Sequence, residues 1–188
     1  MASQSKRSDD PAEEAVAHDP QASVIDFDLI ELFFFAYRDF TSDPDHMLER
    51  LGFGRAHHRV LHFINRRPGL TVAELLDVLQ ITKQSLARVL KQLIDTGHVV
   101  QVQGPRDRRQ RELHLTAMGR ALALELAAPQ SSRIARALAD LQPNDRAAVE
   151  HFLKEMVNRE SRQQVDQLGL HEGDDASLDA LPAVKEEE

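Results

Sequence analysis

The sequence predicts a mainly α-helical fold, in which three helices and a two-stranded β-hairpin form one lobe and further helices flank it. Two observations predict the lobe. Apolar residues recur with a helical period over residues 71–79 and 82–96, and only two residues separate the stretches. After Gly97 the apolar period changes to two, as expected for paired strands. A further helix, residues 55–67, precedes the pair and completes the lobe.

The two periodic stretches have recognisable helix ends. Thr71 stands three residues before Glu74, which is the spacing of a capping box. Gly97 follows the second helix at the position where a left-handed residue commonly ends a helix. Because only Gln80 and Ile81 separate the two helices, the pair fits a helix-turn-helix.

The second helix is predicted to have one buried and one exposed face. Its apolar stripe consists of Leu86, Val89, Leu90, Leu93 and Ile94. The residues that we expect to contact DNA from its other side are Thr82, Lys83, Gln84, Ser85, Arg88 and Lys91. These residue types hydrogen-bond base edges or phosphates, and the first turn of a recognition helix usually contacts bases.

The hairpin that follows is predicted to be a two-stranded wing. Val100 and Val102 alternate on one strand, and Leu113 and Leu115 alternate on the next. The charged residues that we assign to DNA binding on the wing are Arg106, Asp107, Arg108, Arg109 and Arg111. Cations on a projecting ribbon suit a minor groove or a phosphate clamp, and a nearby carboxylate can fix the orientation of a guanidinium.

Several of these residues resemble the wing motif of the MarR family of winged-helix transcription regulators. The motif, Asp-x-Arg followed by Leu-Thr-x-x-Gly, is present as Asp107, Arg109, Leu115, Thr116 and Gly119. The resemblance implies that Arg109 enters the minor groove, that Asp107 braces it, and that the protein forms an intertwined homodimer. The stretches AYRDF, GFGRAHHRVLHF and ITKQSLARVLKQL are similar to the PetP-like branch of the family.

Length and composition predict one domain with two tails. The chain has 188 residues, 41% of them hydrophobic, which suffices for one core. We expect the domain at residues 23–160, with the DNA-binding lobe at about 55–116, between a disordered leader at 1–22 and a disordered acidic tail at 161–188. The leader lacks the apolar region of a signal peptide, so a cytoplasmic protein is expected.

The net charge of −8 does not exclude a nucleic-acid ligand, because the acidic excess lies in the tails. Residues 82–116 carry seven Arg and Lys against three Asp and Glu. Screening acts within about 8 Å in physiological salt, so the local cluster decides the affinity for a polyanion. The absence of cysteine excludes disulfides, thiolate metal sites and thiol-based redox sensing.

The dimerisation helices are predicted at about 23–42 and 117–160. The first is apolar nearly all round, so it must be buried on two sides, and a second subunit is the expected cover. We expect Asp43-Pro44 to end it and Pro129 to break or kink the later helix. The apolar run at residues 32–36 is far too short for a membrane span.

Three histidines allow two readings. His58 and His62 stand four residues apart beside His57 and would share a helical face on which a metal could bind. Since the sequence identifies no third ligand, we assign no metal and no cofactor, and we expect polar histidines at a packing boundary. The candidate residues for a small effector are Phe34, Arg38, His58 and His62.

Together, these patterns predict a homodimeric regulator that binds a palindromic operator in double-stranded DNA and responds to a small effector. An enzyme is not expected, because the sequence has no recognisable catalytic constellation and its Gly-x-Gly at residues 52–54 lacks the rest of a nucleotide fingerprint. Two alternatives remain: a metal-responsive regulator that uses the three histidines, and a winged helix that serves as a protein-interaction module.

Overall fold

The computed structural model describes residues 25–104, 110–142 and 145–167, which form seven helices and three strands. In chain order these are α1 Phe27–Glu49, α2 Arg55–Arg66, β1 Leu70–Thr71, α3 Val72–Leu79, α4 Lys83–Asp95, β2 Val99–Gln103, β3 Arg111–Leu115, α5 Ala117–Ala139, α6 Asp145–Met156 and α7 Arg159–Gln167. The expected leader and the expected tip of the wing lie outside the described residues. Within the described ranges, no helix is long and apolar enough to cross a membrane.

The chain divides into two units, residues 1–37 and 38–188, and helix α1 continues from one into the other. The described part of the first unit is helical from Phe27 onward. Its exposed apolar side chains are Ile25, Phe27, Leu29, Ile30, Leu32, Phe33, Phe34, Phe35 and Tyr37. Within the described part of this unit, the predicted apolar helix therefore exposes apolar side chains on more than one side.

The second unit is built around helix α2, which packs against α3, α4, α5 and the sheet. Its interior is aliphatic and includes Leu61, Ile64, Leu75, Leu86, Leu93, Leu113 and Leu126, each fully buried. The apolar stripe predicted for α4 is confirmed, because four of its five residues are buried and Ile94 packs partly buried against the same core. Because the apolar stripe of α4 is buried in this core, the other face of the helix is exposed to solvent.

The sheet has three antiparallel strands in the order β1-β3-β2, one more than predicted. The extra strand, β1, is only two residues long and pairs Leu70 with Leu113. The side chains of Val100 and Val102, which we predicted to alternate on strand β2, are not buried. They are 43% and 46% exposed, whereas Val99 is buried. A strand of two residues shows no period, so the sequence could not reveal it.

Neither proline ends its helix, contrary to expectation. Helix α1 runs through Pro44 to Glu49, and α5 runs through Pro129 without interruption. Proline at position 44 has no N–H for the carbonyl of Phe40 four residues earlier, but the side chain of Gln130 donates to that oxygen at 3.2 Å. The partner lies 90 residues away in sequence, so no local pattern indicates it.

Helix α7 occupies residues that we expected to belong to the disordered tail. Arg162 stabilises its start, since this guanidinium donates to the carbonyls of Val157 and Glu155 and to the Glu155 carboxylate. These bonds satisfy carbonyls at the end of α6, where a helix lacks partners of its own. Helix α7 therefore extends to Gln167, beyond the boundary predicted at residue 160, and the remainder of the expected acidic tail, 168–188, lies outside the described residues.

Candidate nucleic-acid interface

Helix α4 begins at the predicted cap. The Thr82 hydroxyl accepts a hydrogen bond from the backbone N–H of Ser85 at 3.2 Å and donates to the Ser85 hydroxyl at 2.9 Å. The Ser85 hydroxyl is thereby tied to the cap and half-buried. A fixed first turn presents the side chains that follow Thr82 in one orientation.

The outward face of α4 carries exposed cations and amides. Lys83, Gln84 and Arg88 are exposed, and within the described residues neither Lys83 nor Arg88 forms an ion pair. Lys91 is also exposed but pairs with Asp95 one turn later, an arrangement that offsets its charge. Positive charge available to a polyanion therefore concentrates at Lys83 and Arg88.

The turn between α3 and α4 is a helix-turn-helix, as predicted. Gln80 adopts the left-handed conformation at φ 49°, and its side chain donates to the carbonyl of Asp77 at 2.6 Å. Arg59 of α2 donates to the carbonyl of Leu79 at 2.6 Å. These bonds satisfy the open end of α3 and fix the angle at which α4 leaves it.

The start of α3 is a complete capping box. The Thr71 hydroxyl accepts from the backbone N–H of Glu74, while the Glu74 carboxylate accepts from the Thr71 backbone N–H at 2.8 Å and from its hydroxyl at 2.7 Å. These bonds, the backbone one first, lower the pKa of Glu74 below its usual range. The cap predicted from spacing alone is therefore confirmed.

Replacing Thr71 by Ala is expected to lower the free energy of unfolding by about 1 kcal/mol at neutral pH. Since the folded-state pKa of Glu74 is below its unfolded value, the contribution of the cap is present above the unfolded pKa and is lost as pH falls through the folded pKa. Urea unfolding at about pH 7 and about pH 3 should show a smaller loss in acid. Thr71→Ser keeps the hydroxyl, so an equal loss in this variant would contradict the prediction.

A buried polar cluster joins α4 to α2. His57 accepts from the backbone N–H of Gly54 at 3.0 Å, so its other ring nitrogen donates to Gln92 of α4 at 2.9 Å. Gln92 in turn donates to the carbonyl of Gly52 at 3.2 Å, and the ring of Phe53 stacks on His57 with centroids 4.7 Å apart. We did not predict this cluster, because its partner glutamine lies 35 residues from the histidine.

The three histidines of α2 do not form a metal centre in the structure. Both ring nitrogens of His57 have partners, and burial is the main cause that lowers the pKa of His58 and of His62. Among the residues that the structure describes, no group of three or more histidines and carboxylates is placed to hold a metal ion. The geometry therefore gives the metal-responsive alternative no support.

The four candidate effector residues do not line the groove that lies beside α4. This groove has a volume of about 330 Å³ and is lined by Val72, Ala87, Leu90, Lys91, Ile94, Asp95 and Gln101. Phe34 is exposed on the first unit, Arg38 pairs with Asp39, and His58 and His62 lie on α2. Their assignment to an effector stays a prediction.

The wing is described up to its tip. Strands β2 and β3 pair from Val99 with Leu115 to Gln103 with Arg111, and the N–H of Gly104 donates to the carbonyl of Gln110 at 3.0 Å. Arg111 is exposed at the base of the tip. Arg106, Asp107, Arg108 and Arg109 lie outside the described residues, so their roles stay predictions.

Known proteins share the sequence and the fold of this part of the chain. A model of the MarR family matches residues 51–110. The HTH-type transcriptional regulator PetP of Rhodobacter capsulatus is 48% identical over 139 residues, which span 74% of this chain and 84% of PetP. The chain belongs to the MarR family. The resemblance seen in the wing motif is thereby confirmed, and MarR-family membership makes the chain a DNA-binding transcription regulator and not an enzyme.

Solved structures of MarR-family regulators have the same winged-helix fold. FabT of Streptococcus pneumoniae, crystallised in complex with DNA, matches with a TM-score of 0.60 and 17% identity over 76% of this chain and 99% of FabT. The reduced form of MarR from E. coli matches with a TM-score of 0.53 and 24% identity over 69% of this chain and 96% of MarR. At these identities the likeness shows the fold of the MarR family.

Proposed function

We propose that this MarR-family chain acts in the cytoplasm as a homodimer on a palindromic operator, with one α4 helix per subunit in each of two adjacent major grooves. The observation that carries the proposal is the face of α4 on which Lys83, Gln84 and Arg88 are exposed while the opposite face is buried. Half-sites about one helical turn of DNA apart match a two-fold symmetric protein. FabT, which has the same fold, was crystallised in complex with DNA, and this supports DNA as the ligand.

Exposed apolar side chains support the dimer. Residues 25–37 carry nine of them, and α5 and α6 expose Ile134, Phe152, Leu153 and Met156. Monomeric proteins rarely leave apolar surface of this extent in water. A second copy of the chain is the proposed cover, since a two-fold interface uses the same surface on both subunits.

The wing is proposed to extend the contact beyond the major groove. Arg111 is exposed at its base, and the sequence places Arg106, Arg108 and Arg109 at its tip. Cations on such a ribbon bind phosphates or a narrow minor groove. Asp107 is assigned the role of orienting Arg109.

A small effector is proposed to act by changing the spacing of the two lobes in the dimer. Two recognition helices fit adjacent grooves only at one separation, so a ligand that prefers another separation weakens DNA binding. Phe34, Arg38, His58 and His62 stay the candidate residues for this effector.

Selection of bound duplexes from a random pool, followed by titration of the selected duplex, tests the proposal. We expect an inverted repeat, a dimer in analytical ultracentrifugation, and affinity that falls by orders of magnitude between about 50 mM and about 200 mM salt. A protein-interaction module would show no selected sequence and no salt dependence. That result, or a monomer bound to a single half-site, would contradict the proposal.

A further inference from the structure

Helix α7 contacts the helix-turn-helix directly. The side chain of Gln164 donates to the carbonyl of Asp77 at 3.1 Å, although the two residues are 87 positions apart. The same oxygen accepts from Gln80 in the turn. Asp77 lies in the last turn of α3, where carbonyls lack partners within the helix, so Gln164 acts as a second cap of α3.

This contact brings the end of α7 close to the start of α4. Asp77 and Lys83 are six positions apart in sequence, so their backbones lie at most about 20 Å from each other. Helix α7 ends at Gln167, three residues after Gln164. The end of α7 therefore lies within reach of the exposed cations of α4.

The residues that follow α7 are strongly acidic. Residues 168–188 contain seven Asp and Glu against one Lys, whereas the exposed face of α4 carries Lys83, Arg88 and Lys91. A chain of 21 residues reaches up to about 70 Å, while a helix of 13 residues is about 20 Å long. The acidic segment is thus long enough to cover the whole face of α4.

We propose that residues 168–188 dock on the exposed cationic face of α4 in the same subunit and compete there with the phosphates of DNA. The inference rests on the proposed function, because it assigns a competitor to the same DNA-binding face. The occupant is this segment because it has the complementary charge and is long enough to reach the face from the end of α7. Short tethers give effective concentrations of about a millimolar, so a weak contact suffices.

The competition makes DNA binding depend on a few carboxylates. Neutralising Glu172, Asp174, Asp175 and Asp179 with Gln or Asn in the full chain should tighten binding to the selected duplex about three- to tenfold at about 50 mM salt. The gain should shrink at about 200 mM salt, because exposed charges are screened. Fluorescence anisotropy of a labelled duplex measures both affinities.

A matched control separates docking from net charge. Neutralising Asp9, Asp10, Glu13 and Glu14 changes the net charge by the same four units at the other end of the sequence. Docking predicts that only the first set tightens binding more than about twofold. Equal gains from both sets would overturn the proposal in favour of general charge repulsion.

The role of α7 is tested without any change of charge. Gln164→Ala removes the bond to Asp77 and should tighten DNA binding about twofold, because the acidic segment is no longer held beside α4. Gln142→Ala, at an exposed glutamine between α5 and α6, should leave the affinity unchanged. An unchanged affinity for Gln164→Ala would overturn the docking through α7.

Failure of this inference is distinguishable from failure of the proposed function. If the unaltered chain, the acidic-segment variant and Gln164→Ala bind the selected duplex equally well, the proposed docking of residues 168–188 is wrong and the DNA-binding proposal stands. If no sequence is selected and no variant binds, the proposed function fails and the inference fails with it.

Discussion

Replacing Gly119 by Ala is expected to lower the free energy of unfolding by about 3 kcal/mol or more. An added Cβ would lie 2.0 Å from the carbonyl oxygen of His98 and 2.9 Å from its carbonyl carbon. These are backbone atoms, so no side-chain rotation relieves the clash. Ala is otherwise favoured over Gly in a helix by about 1 kcal/mol, so the predicted sign is opposite to the helix propensity.

The backbone at Gly119 is held in place by the hydrogen bonds around it. The N–H of Gly119 donates to the Thr116 hydroxyl at 3.0 Å, and the N–H of Thr116 donates to the His98 carbonyl at 3.0 Å. The Thr116 hydroxyl also donates to the carbonyl of Gly97 at 2.7 Å. Moving α5 away from His98 breaks this set, so relaxation of the clash also costs stability.

Urea unfolding followed by circular dichroism measures the effect. Gly54→Ala is the matched control, because a Cβ there meets nothing within 4 Å and φ is −137°. We expect it to cost no more than about 1 kcal/mol, as Gly54 only caps α2. Similar losses in the two variants would show that the approach of α5 to His98 is not what requires glycine.

Arg88→Ala is expected to weaken binding to the selected duplex about 5- to 150-fold, equivalent to about 1 to 3 kcal/mol, if its guanidinium contacts a base through two hydrogen bonds. Arg88 is exposed on the outward face of α4 and has no ion-pair partner among the described residues. Binding of this side chain to DNA therefore breaks no ion pair among the described residues. Arg88→Lys keeps the charge but not the paired geometry, so it should restore little of the loss.

Arg50→Ala provides the control for Arg88→Ala. Arg50 is exposed just after α1, away from the helix-turn-helix in sequence, so its removal changes the net charge equally without altering α4. Anisotropy titrations should show a change of less than about twofold for Arg50→Ala. If both variants weakened DNA binding equally, Arg88 would contribute only through the net charge of the protein and not through a specific contact.

Local sequence signals predicted the helix-turn-helix correctly because its contacts are local. The caps at Thr71 and Thr82 bond residues only three positions later, and the apolar stripe of α4 repeats within one helix. The exposed face followed from that stripe, because the side of a helix opposite its buried residues faces solvent. Whether this face contacts DNA through the predicted residues stays a prediction.

The errors have a different origin, because each involves a side-chain partner that neither apolar period nor cap spacing reveals. Pro44 remains helical because Gln130 supplies a donor to Phe40, and α7 was missed because Arg162 bonds the end of a preceding helix rather than an apolar core. The bond between His57 and Gln92 joins two helices that look independent in the sequence. Apolar period and cap spacing carry no information on such contacts.

The close approach of Gly119 to His98 also holds one end of α5 against the start of strand β2. Helix α5 has 23 residues and is about 35 Å long, and only Thr116 separates it from strand β3. Gly119 therefore lies near one end of a long helix. A rotation of about 5° about this end would displace the other end, at Ala139, by about 3 Å, so a small tilt at the base of the wing would give a larger displacement there.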